Sequence, residues 1–280
     1  MEIEARHQRR FAAGGGPRRQ GIMLGPVGKI AGILDERFDR WVQGLEARHL
    51  AELTFQELAR SVRALSSTYV ERRRGLGSGA ALAGGGKRAA FALFYGPLHY
   101  LLIREIVRAL PGATDAPPIL MDLGCGIGTS GAAWAAACEI TPRIIGIDRN
   151  PWALREAAHT YRSFGLHADT TLEDLAVVRL RKPPVGIIAA FTVNELADEV
   201  RSALRRRLLD RARRGDRVLV VEPVSRRVTP WWNDWCAAFV SAGGRADEWR
   251  VSVPLPAIVA KLDRAAGLNH GELTGRSLWL

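Results

Sequence analysis

The sequence is poor in cysteine and lacks any long apolar run. Its three cysteines, Cys125, Cys138 and Cys236, include no C-x-x-C pair, so neither a disulfide framework nor a cysteine metal site is indicated, and we expect no bound metal. No uninterrupted apolar run approaches the ~18 residues that cross a bilayer, and the first residues lack the apolar middle of a secretory signal. We therefore expect a protein that has no membrane partner and works in the reducing cytoplasm.

Lysine is also scarce, at four of the 40 basic residues, although the formal net charge is +11. The excess is uneven, because residues 1–110 hold 18 Lys and Arg against 10 Asp and Glu, whereas residues 111–280 hold 22 against 19. A basic surface attracts phosphate, so the N-terminal part favours RNA or a ribosome as partner. A general compositional bias toward arginine is the alternative explanation.

Changes in composition predict three segments. Residues 1–20 combine basic residues with a glycine run and predict a mobile basic arm. Residues 21–110 predict a helical N-terminal extension, within which 75–86 forms a flexible linker because six of its twelve positions are glycine. Residues 111–280 form the third segment, a separate domain.

Local signals mark the helices of the extension. Thr54 and Glu57 have the spacing of a capping box ahead of a run in which apolar residues share one face. A later helical run, "KRAAFALFYGPLHYLLIREIVRAL", should be interrupted or kinked near Gly96 and Pro97.

From residue 117 onward, short apolar runs alternate with helical stretches. The runs are rich in Ile and Val and lack polar alternation, which is typical of buried parallel strands; they cover 119–124, 143–148, 185–191 and 217–223. A weaker strand is expected around 165–170, and the C-terminal tail adds two strands and a helix. This order predicts an α/β fold with an open, doubly wound sheet.

The turn after the first predicted strand, "ILMDLGCGIG", is unusually rich in glycine. Asp122 ends the strand, and Gly124, Gly126 and Gly128 follow it. Glycine lets a ligand approach the backbone at the carboxyl end of a strand. The spacing is G-x-G-x-G, whereas a dinucleotide-binding turn has G-x-G-x-x-G, so a nicotinamide oxidoreductase is disfavoured. Asp148 ends the second strand, where its carboxylate can accept hydrogen bonds from both ribose hydroxyls of an adenosine-type cofactor.

The run "MDLGCGIG" followed by "IIGIDRNPWAL" resembles the class I S-adenosylmethionine-dependent methyltransferases over about 117–280. The resemblance implies a Rossmann-like, mostly parallel seven-stranded sheet in 111–280, S-adenosyl-L-methionine as cofactor, and a methyltransferase activity. It also implies which residues bind the cofactor: Asp122, Gly124, Cys125, Gly126, Gly128, Asp148, Arg149, Asp169 and Phe191. Asp174 is the alternative to Asp169, because the third strand is weakly marked.

In that family the end of the fourth strand opens onto the transferred methyl group. Thr192 and Asn194 follow that strand and are candidates for acceptor binding. Four further candidates are Tyr95 and Tyr100, in the region before the glycine turn where the family usually places acceptor recognition, and Trp231 and Trp232, which follow the fifth strand. Glu195 and His99 are the candidate general bases, and Glu222 is a third candidate after these two. Each has a plainer alternative: Glu195 as a helix cap, His99 as a packing residue, and the tryptophans as a cover over the core.

A looser resemblance concerns the acceptor. The runs "FTVNEL", "VLVVEP", "TYVERRRG" and "FALFYGPLHY" are similar to the ribosomal small-subunit assembly methyltransferase-like proteins, although the cysteine cluster of that branch is missing. This similarity favours ribosomal RNA or a ribosome-associated acceptor. A small-molecule acceptor and a non-catalytic assembly factor are the alternatives.

Overall fold

The computed structural model describes residues 36–71, 84–225 and 229–280. The predicted arm (1–20) and most of the predicted linker (75–86) lie outside the described residues. The helices are α1 Glu36–His49, α2 Phe55–Glu71, α3 Gly85–Ala90, α4 Gly96–Ala109, α5 Thr129–Ala137, α6 Pro151–Ser163, α7 Asp198–Arg213, α8 Trp232–Ser241 and α9 Ala257–Ala265. The strands are β1 Ile119–Leu123, β2 Arg143–Asp148, β3 Ala168–Leu172, β4 Gly186–Ala190, β5 Arg217–Glu222, β6 Arg245–Val251 and β7 Leu273–Trp279.

The strands form a seven-stranded sheet in the order β3-β2-β1-β4-β5-β7-β6. The five strands from β3 to β5 are parallel, and β7 runs antiparallel to both of its neighbours. The predicted fold class is therefore confirmed. β1 lies between β2 and β4, so the order of the strands reverses beside it.

Two apolar layers cover the sheet because successive side chains of a strand point to opposite faces. In β1, Leu120 joins the layer that contains α4, α5 and α6, whereas Met121 and Leu123 join the layer that contains α7 and α8. β4 is buried along its whole length, as its apolar run predicts. β3 is largely exposed, and its few apolar residues explain its weak signal in the sequence.

The helices that precede β1 pack directly against the sheet-containing part. The capping box of α2 is confirmed, since the Glu57 amide donates to the Thr54 hydroxyl (3.3 Å) and the Thr54 amide to the Glu57 carboxylate (2.9 Å). Phe38 and Trp41 of α1 are buried in the same apolar layer as Phe164, which follows α6. Residues 36–71 and 84–109 are thus part of one compact unit with the sheet.

A π-helical turn, Phe91–Tyr95, joins α3 to α4. Helix α3 begins at Gly85, inside the predicted linker, and the expected interruption near Gly96 and Pro97 is this turn. Its i→i−5 bond runs from the Gly96 amide to the Phe91 carbonyl. The run Gly85–Ala109 is long and apolar enough to cross a membrane, but 78% of its most apolar window is buried inside the protein, so packing within the fold accounts for its composition.

Candidate functional site

A cavity opens at the carboxyl edge of the sheet, where the strand order reverses between β1 and β4. Doubly wound sheets bind their ligands at this position. The cavity has a volume of about 290 Å³. It brings together many of the residues that the sequence predicts: Tyr95, His99, Gly124, Cys125, Gly126, Asp148, Arg149, Phe191, Thr192, Asn194 and Glu195.

The loop between β1 and α5 requires glycine for two different reasons. Gly124, Gly126 and Gly128 have φ angles of 67°, 53° and 80°, in the left-handed region that other residues rarely adopt. A Cβ atom at Gly124 would collide with the side chain of Thr192. A Cβ atom at Gly126 would instead stand at the cavity, 3.8 Å from the nearest ring atoms, those of Phe91. Bare backbone therefore faces the cavity at Gly126.

Asp148 connects the end of β2 to this loop. One carboxylate oxygen accepts a hydrogen bond from the Gly126 amide (2.9 Å), and the other accepts one from the Asn150 amide (2.8 Å). Asn150 caps α6 through its own side chain. An ionised carboxylate offers about four lone-pair directions, so Asp148 keeps acceptor capacity on the side that lines the cavity.

Asp122 does not line the cavity, which corrects the prediction that it faces the ligand. Its side chain points to the opposite side of the loop, where Oδ2 accepts from the Gly131 amide of α5 (2.8 Å) and from the Tyr161 hydroxyl (3.5 Å). Oδ1 has no hydrogen-bond partner among the described residues. Burial raises the pKa of Asp122 to about 7, and the charge of Asp148 acts in the same direction. Asp122 is thus an internal anchor of the loop.

The backbone after β4 is strained where it meets the cavity. Phe191 has a φ of 57°, although it is not glycine, and strain of this kind concentrates at functional sites. Its amide donates to the Val221 carbonyl (2.8 Å). The Thr192 hydroxyl lies 3.1 Å from the carbonyl oxygens of both Gly124 and Ala190. The turn after β4 is therefore tied to the glycine loop.

A buried carboxyl group holds the next residues of this turn. The backbone amide of Asn194 donates to Oε1 of Glu222 (3.2 Å), and its side-chain amide donates to Oε2. Burial raises the pKa of Glu222 to about 7. Glu222 does not itself line the cavity, whereas the exposed Glu195 does. Glu222 thus positions the turn after β4, and Glu195 lines the cavity.

Aromatic rings form one wall of the cavity. His99 stacks on Phe191, with ring centroids 4.1 Å apart and an angle of 19° between the planes. Phe91 and Tyr95 contact the same imidazole at centroid distances of 6.3 and 6.0 Å. Burial lowers the pKa of His99 to about 4, and the charge of His270 adds to this. His99 is therefore a neutral imidazole at neutral pH.

The structure places Asp169 away from the cavity, and the alternative residue lies there instead. Asp169 pairs with Ile145 near the amino end of β3, whereas Leu172 pairs with Asp148 at the cavity edge. The Asp169 carboxylate is exposed and forms an ion pair with Arg143. Asp174 follows the carboxyl end of β3 and lines the cavity. The strand extends further along the chain than its apolar pattern predicts, which explains the displacement.

Four other predicted residues also lie outside the cavity. Tyr100 is fully buried between the rings of Phe38 and Phe164, at 4.8 and 4.9 Å. Gly128 packs closely against α6, and a Cβ atom at this position would lie only 2.9 Å from the ring of Tyr161.

Trp231 and Trp232 cover the core on the α8 side of the sheet, as their plainer interpretation states. Arg201 lies over the first ring, at 5.5 Å from its centroid, and Arg276 over the second, at 4.8 Å. Because the two tryptophans follow β5 in the sequence, we expect them at the edge of the sheet where the cavity lies. Helix α8 begins at this point, however, and its packing on the sheet places both side chains in the core.

Sequence reasoning missed several residues that line the cavity. They are Ile127, Thr129, Ser130, Asn150, Ala153, Glu173, Leu175, Ala190, Leu196 and Pro223. Most of them are neighbours in sequence of a predicted site residue. Their position next to the end of a strand was the signal that could have identified them. Phe91 also lines the cavity, but it lies far from any strand end, and only the packing of the α3–α4 run on the loop brings it there.

No protein family model and no curated protein matches this sequence. Solved structures are similar at low identity. One is a magnesium protoporphyrin IX methyltransferase from Synechocystis with bound SAM, at 16% identity over 65% of this chain and 78% of that chain, with a TM-score of 0.44. Another is a mitomycin 7-O-methyltransferase, at 15% identity over 86% and 72% of the respective chains, with a TM-score of 0.49. A third is a putative RNA methyltransferase from Pyrococcus horikoshii, at 13% identity over 70% and 84%, with a TM-score of 0.39. Folds of this kind serve many substrates, so function rests on the site.

Proposed function

We propose that the protein is an S-adenosyl-L-methionine-dependent methyltransferase whose methyl donor binds in this cavity. One observation carries the proposal: the bare backbone at Gly126 and the carboxylate of Asp148 face the same cavity at the point where the strand order reverses. A backbone cradle next to a carboxylate suits a ligand that combines an extended aminoacyl chain with a ribose.

The residues at the cavity fit this donor in two further respects. Asp148 retains acceptor capacity for the ribose hydroxyls, and Asp174 adjoins it for the adenine amino group. Arg149, Gly124, Cys125 and Phe191 would complete the contacts.

The charge around the loop distinguishes this donor from a dinucleotide. A pyrophosphate needs the free N–H groups at the start of the following helix. In this protein Asp122 already accepts the Gly131 amide in the first turn of α5, and Asp148 accepts the amide of Gly126. A pyrophosphate placed next to the carboxylate of Asp148, which lines the cavity, would be repelled, whereas a cationic sulfonium would be attracted. The loop therefore favours a sulfonium donor over NAD.

Bound S-adenosyl-L-methionine supplies an electrophilic methyl group, which bonds to a lone pair of the acceptor as the methyl–sulfur bond breaks and its electron pair stays on sulfur. The task of the protein is mainly to align the acceptor with that methyl group. We assign this alignment to Tyr95, Thr192 and Asn194. Glu195 and His99 are the groups at hand to accept a proton when the acceptor must lose one.

For the partner we propose RNA or a ribosome-associated substrate, supported by the basic excess in residues 1–110, with a small molecule as the alternative. A methyltransferase-fold assembly factor without activity is a further alternative. Product formation from labelled donor, with ribosomal RNA or small aromatic compounds as acceptors, separates a catalyst from such a factor.

The first experiment compares two glycine-to-alanine variants by calorimetric titration. Gly126→Ala and Gly165→Ala both place alanine at a similar positive φ, 53° and 66°, and neither Cβ atom would collide with a neighbour. Each should lose about 1–2 kcal/mol of stability. Only Gly126→Ala should also lose binding of S-adenosylmethionine and its demethylated product, because its methyl group enters the cavity.

NAD should bind to neither variant nor to the unaltered protein. Equal donor affinity of the two variants, or binding of NAD in preference to S-adenosylmethionine, would contradict the proposed function.

A further inference from the structure

The ring wall of the cavity comes from two separate parts of the chain. Phe91, Tyr95 and His99 are spaced four residues apart along the α3–α4 run, and Phe191 comes from the end of β4. In an α-helix of 3.6 residues per turn, side chains four residues apart drift around the axis. The wider π turn at Phe91–Tyr95 offsets this drift, so the three rings remain on the side that faces the cavity.

Both parts are held in unfavourable backbone conformations where the rings meet the cavity. A π turn is rare inside helices and occurs often at functional sites. Phe191 has a φ of 57°, in a region that residues other than glycine rarely adopt. Each irregularity brings an aromatic ring to the same wall, and neither is needed to bury the ring, because Phe91, Tyr95 and Phe191 all remain partly exposed.

The ring wall adjoins the place of the proposed donor. A Cβ atom at Gly126 would lie 3.8 Å from the ring of Phe91. Thr192, next to Phe191, is linked to the Gly124 carbonyl. A molecule resting on the rings therefore lies next to a ligand resting on the glycine loop.

The charges at the cavity argue against an anionic acceptor. Among the described residues that line it, Arg149 is the basic one, and it follows Asp148 on the side of the glycine loop. At the β4 turn, the ionisable lining residue is Glu195, and Asn194 beside it offers an amide. A phosphate or carboxylate group placed on the rings would meet a carboxylate there, whereas a neutral ring with an N–H or O–H edge would find an acceptor.

We propose that the acceptor, or the part of it that enters the cavity, is a neutral planar heteroaromatic ring. It stacks on the wall formed by Phe91, Tyr95, His99 and Phe191 and turns its polar edge toward Asn194 and Glu195. This inference rests on the proposed function, since it names the acceptor class of the same site. A free aromatic metabolite and an exposed base of RNA share this chemistry.

The test uses the full chain saturated with S-adenosylhomocysteine and measures binding of small probes by saturation-transfer NMR. Quinoline, which is neutral at pH 7, should bind, whereas quinaldate, its anionic carboxylate, and cyclohexanol, which has no aromatic ring, should bind at least tenfold more weakly. Tyr95→Leu and Phe191→Leu should each weaken quinoline binding about tenfold, since each removes one ring on which quinoline stacks. Phe55→Leu removes a ring of α2 outside the cavity and should leave binding unchanged.

Binding of S-adenosylhomocysteine to each variant reports on folding and on the donor site. If that product does not bind to the unaltered protein, the proposed function and this inference fail together. If it binds but quinoline does not, or quinoline binds equally to all variants, only the inference is overturned. Tighter binding of quinaldate than of quinoline would also overturn it, in favour of an anionic acceptor.

A competition arm distinguishes the two sources of the ring. Displacement of quinoline by a short oligouridylate, weakening as salt is raised, assigns the ring to RNA. Retention of quinoline in the presence of the oligonucleotide assigns it to a free compound. Either result supports the proposal that a neutral heteroaromatic ring enters the cavity.

Discussion

Asp148 holds the glycine loop and is the residue to which the proposed function assigns the ribose of the donor, so a single substitution should affect both roles. In Asp148→Asn the side chain keeps one oxygen and gains an NH₂ group, which must face either the Gly126 amide or the Asn150 amide. An unmatched donor of this kind costs ~1–3 kcal/mol. We expect that loss in urea unfolding, together with at least tenfold weaker binding of S-adenosylhomocysteine in calorimetry.

Asp169→Asn is the matched control, since its carboxylate is exposed and pairs only with Arg143 on the surface. An exposed ion pair contributes ~0–1 kcal/mol, so stability should change little and product affinity not at all. A loss of product binding in Asp169→Asn equal to that in Asp148→Asn would reinstate the residue that the sequence pattern favours.

At the scale of elements, Glu222 joins the end of β5 to the turn after β4, and its protonation should affect stability. Its pKa is raised to about 7 in the folded protein, from ~4.3 in an unfolded chain. Between these values the folded state binds the proton and the unfolded state does not. The free energy of unfolding should therefore fall as pH rises from about 4 to 7. Asp122, with a pKa also raised to about 7, acts in the same direction.

Glu222→Gln removes one of these two contributions while keeping an oxygen for the Asn194 amide. Urea unfolding at intervals from pH 5 to 8 should show a shallower fall with pH in this variant than in the unaltered protein. Glu272→Gln, at an exposed carboxylate paired with Arg250, should keep the original slope. Equal slopes in all three proteins would mean that Glu222 is ionised in the fold throughout this range.

The elements themselves were predictable to different degrees. β2 begins and ends at its predicted residues, and β1, β4 and β5 are within a residue or so, because a buried parallel strand has a strong local pattern. β3 is an exposed edge strand with polar residues, so its predicted position, around 165–170, differs by a few residues from the observed one. Gly96 and Pro97 indicated an interruption of this helical run, but not that it is a π turn, since the apolar sequence suits an α-helix equally well and the choice depends on what the rings contact.

At the scale of the whole molecule, the helices that precede β1 belong to the same core as the sheet. Trp41 of α1 is buried, its indole N–H donates to the Thr160 hydroxyl of α6 (3.2 Å), and its ring lies 5.6 Å from that of Phe164. Removing a buried tryptophan side chain costs ~3–5 kcal/mol. We expect Trp41→Ala to lower the stability of the entire sheet by that amount.

Far-UV circular dichroism and tryptophan fluorescence should report one shared unfolding transition in this variant, as in the unaltered protein. Ile140→Ala is the control, because Ile140 is 85% exposed and surface changes usually stay within ~0.5 kcal/mol. Two separate transitions, with the sheet unaffected by Trp41→Ala, would instead mean that the helical extension predicted for 21–110 unfolds apart from the domain predicted for 111–280.

The sequence by itself determined the fold class, the parallel strands, and the glycine loop whose bare backbone lines the cavity. These features depend on hydrophobic period and on glycine in the left-handed region, which are local properties of the chain. Only the tertiary structure decided which polar and aromatic side chains share the cavity. It placed Asp174 there instead of Asp169, turned Asp122, Tyr100 and the tryptophans into the core, and brought Phe91 from a distant helical run. Such choices follow from strand register and from packing between segments far apart in sequence, and no local pattern encodes them.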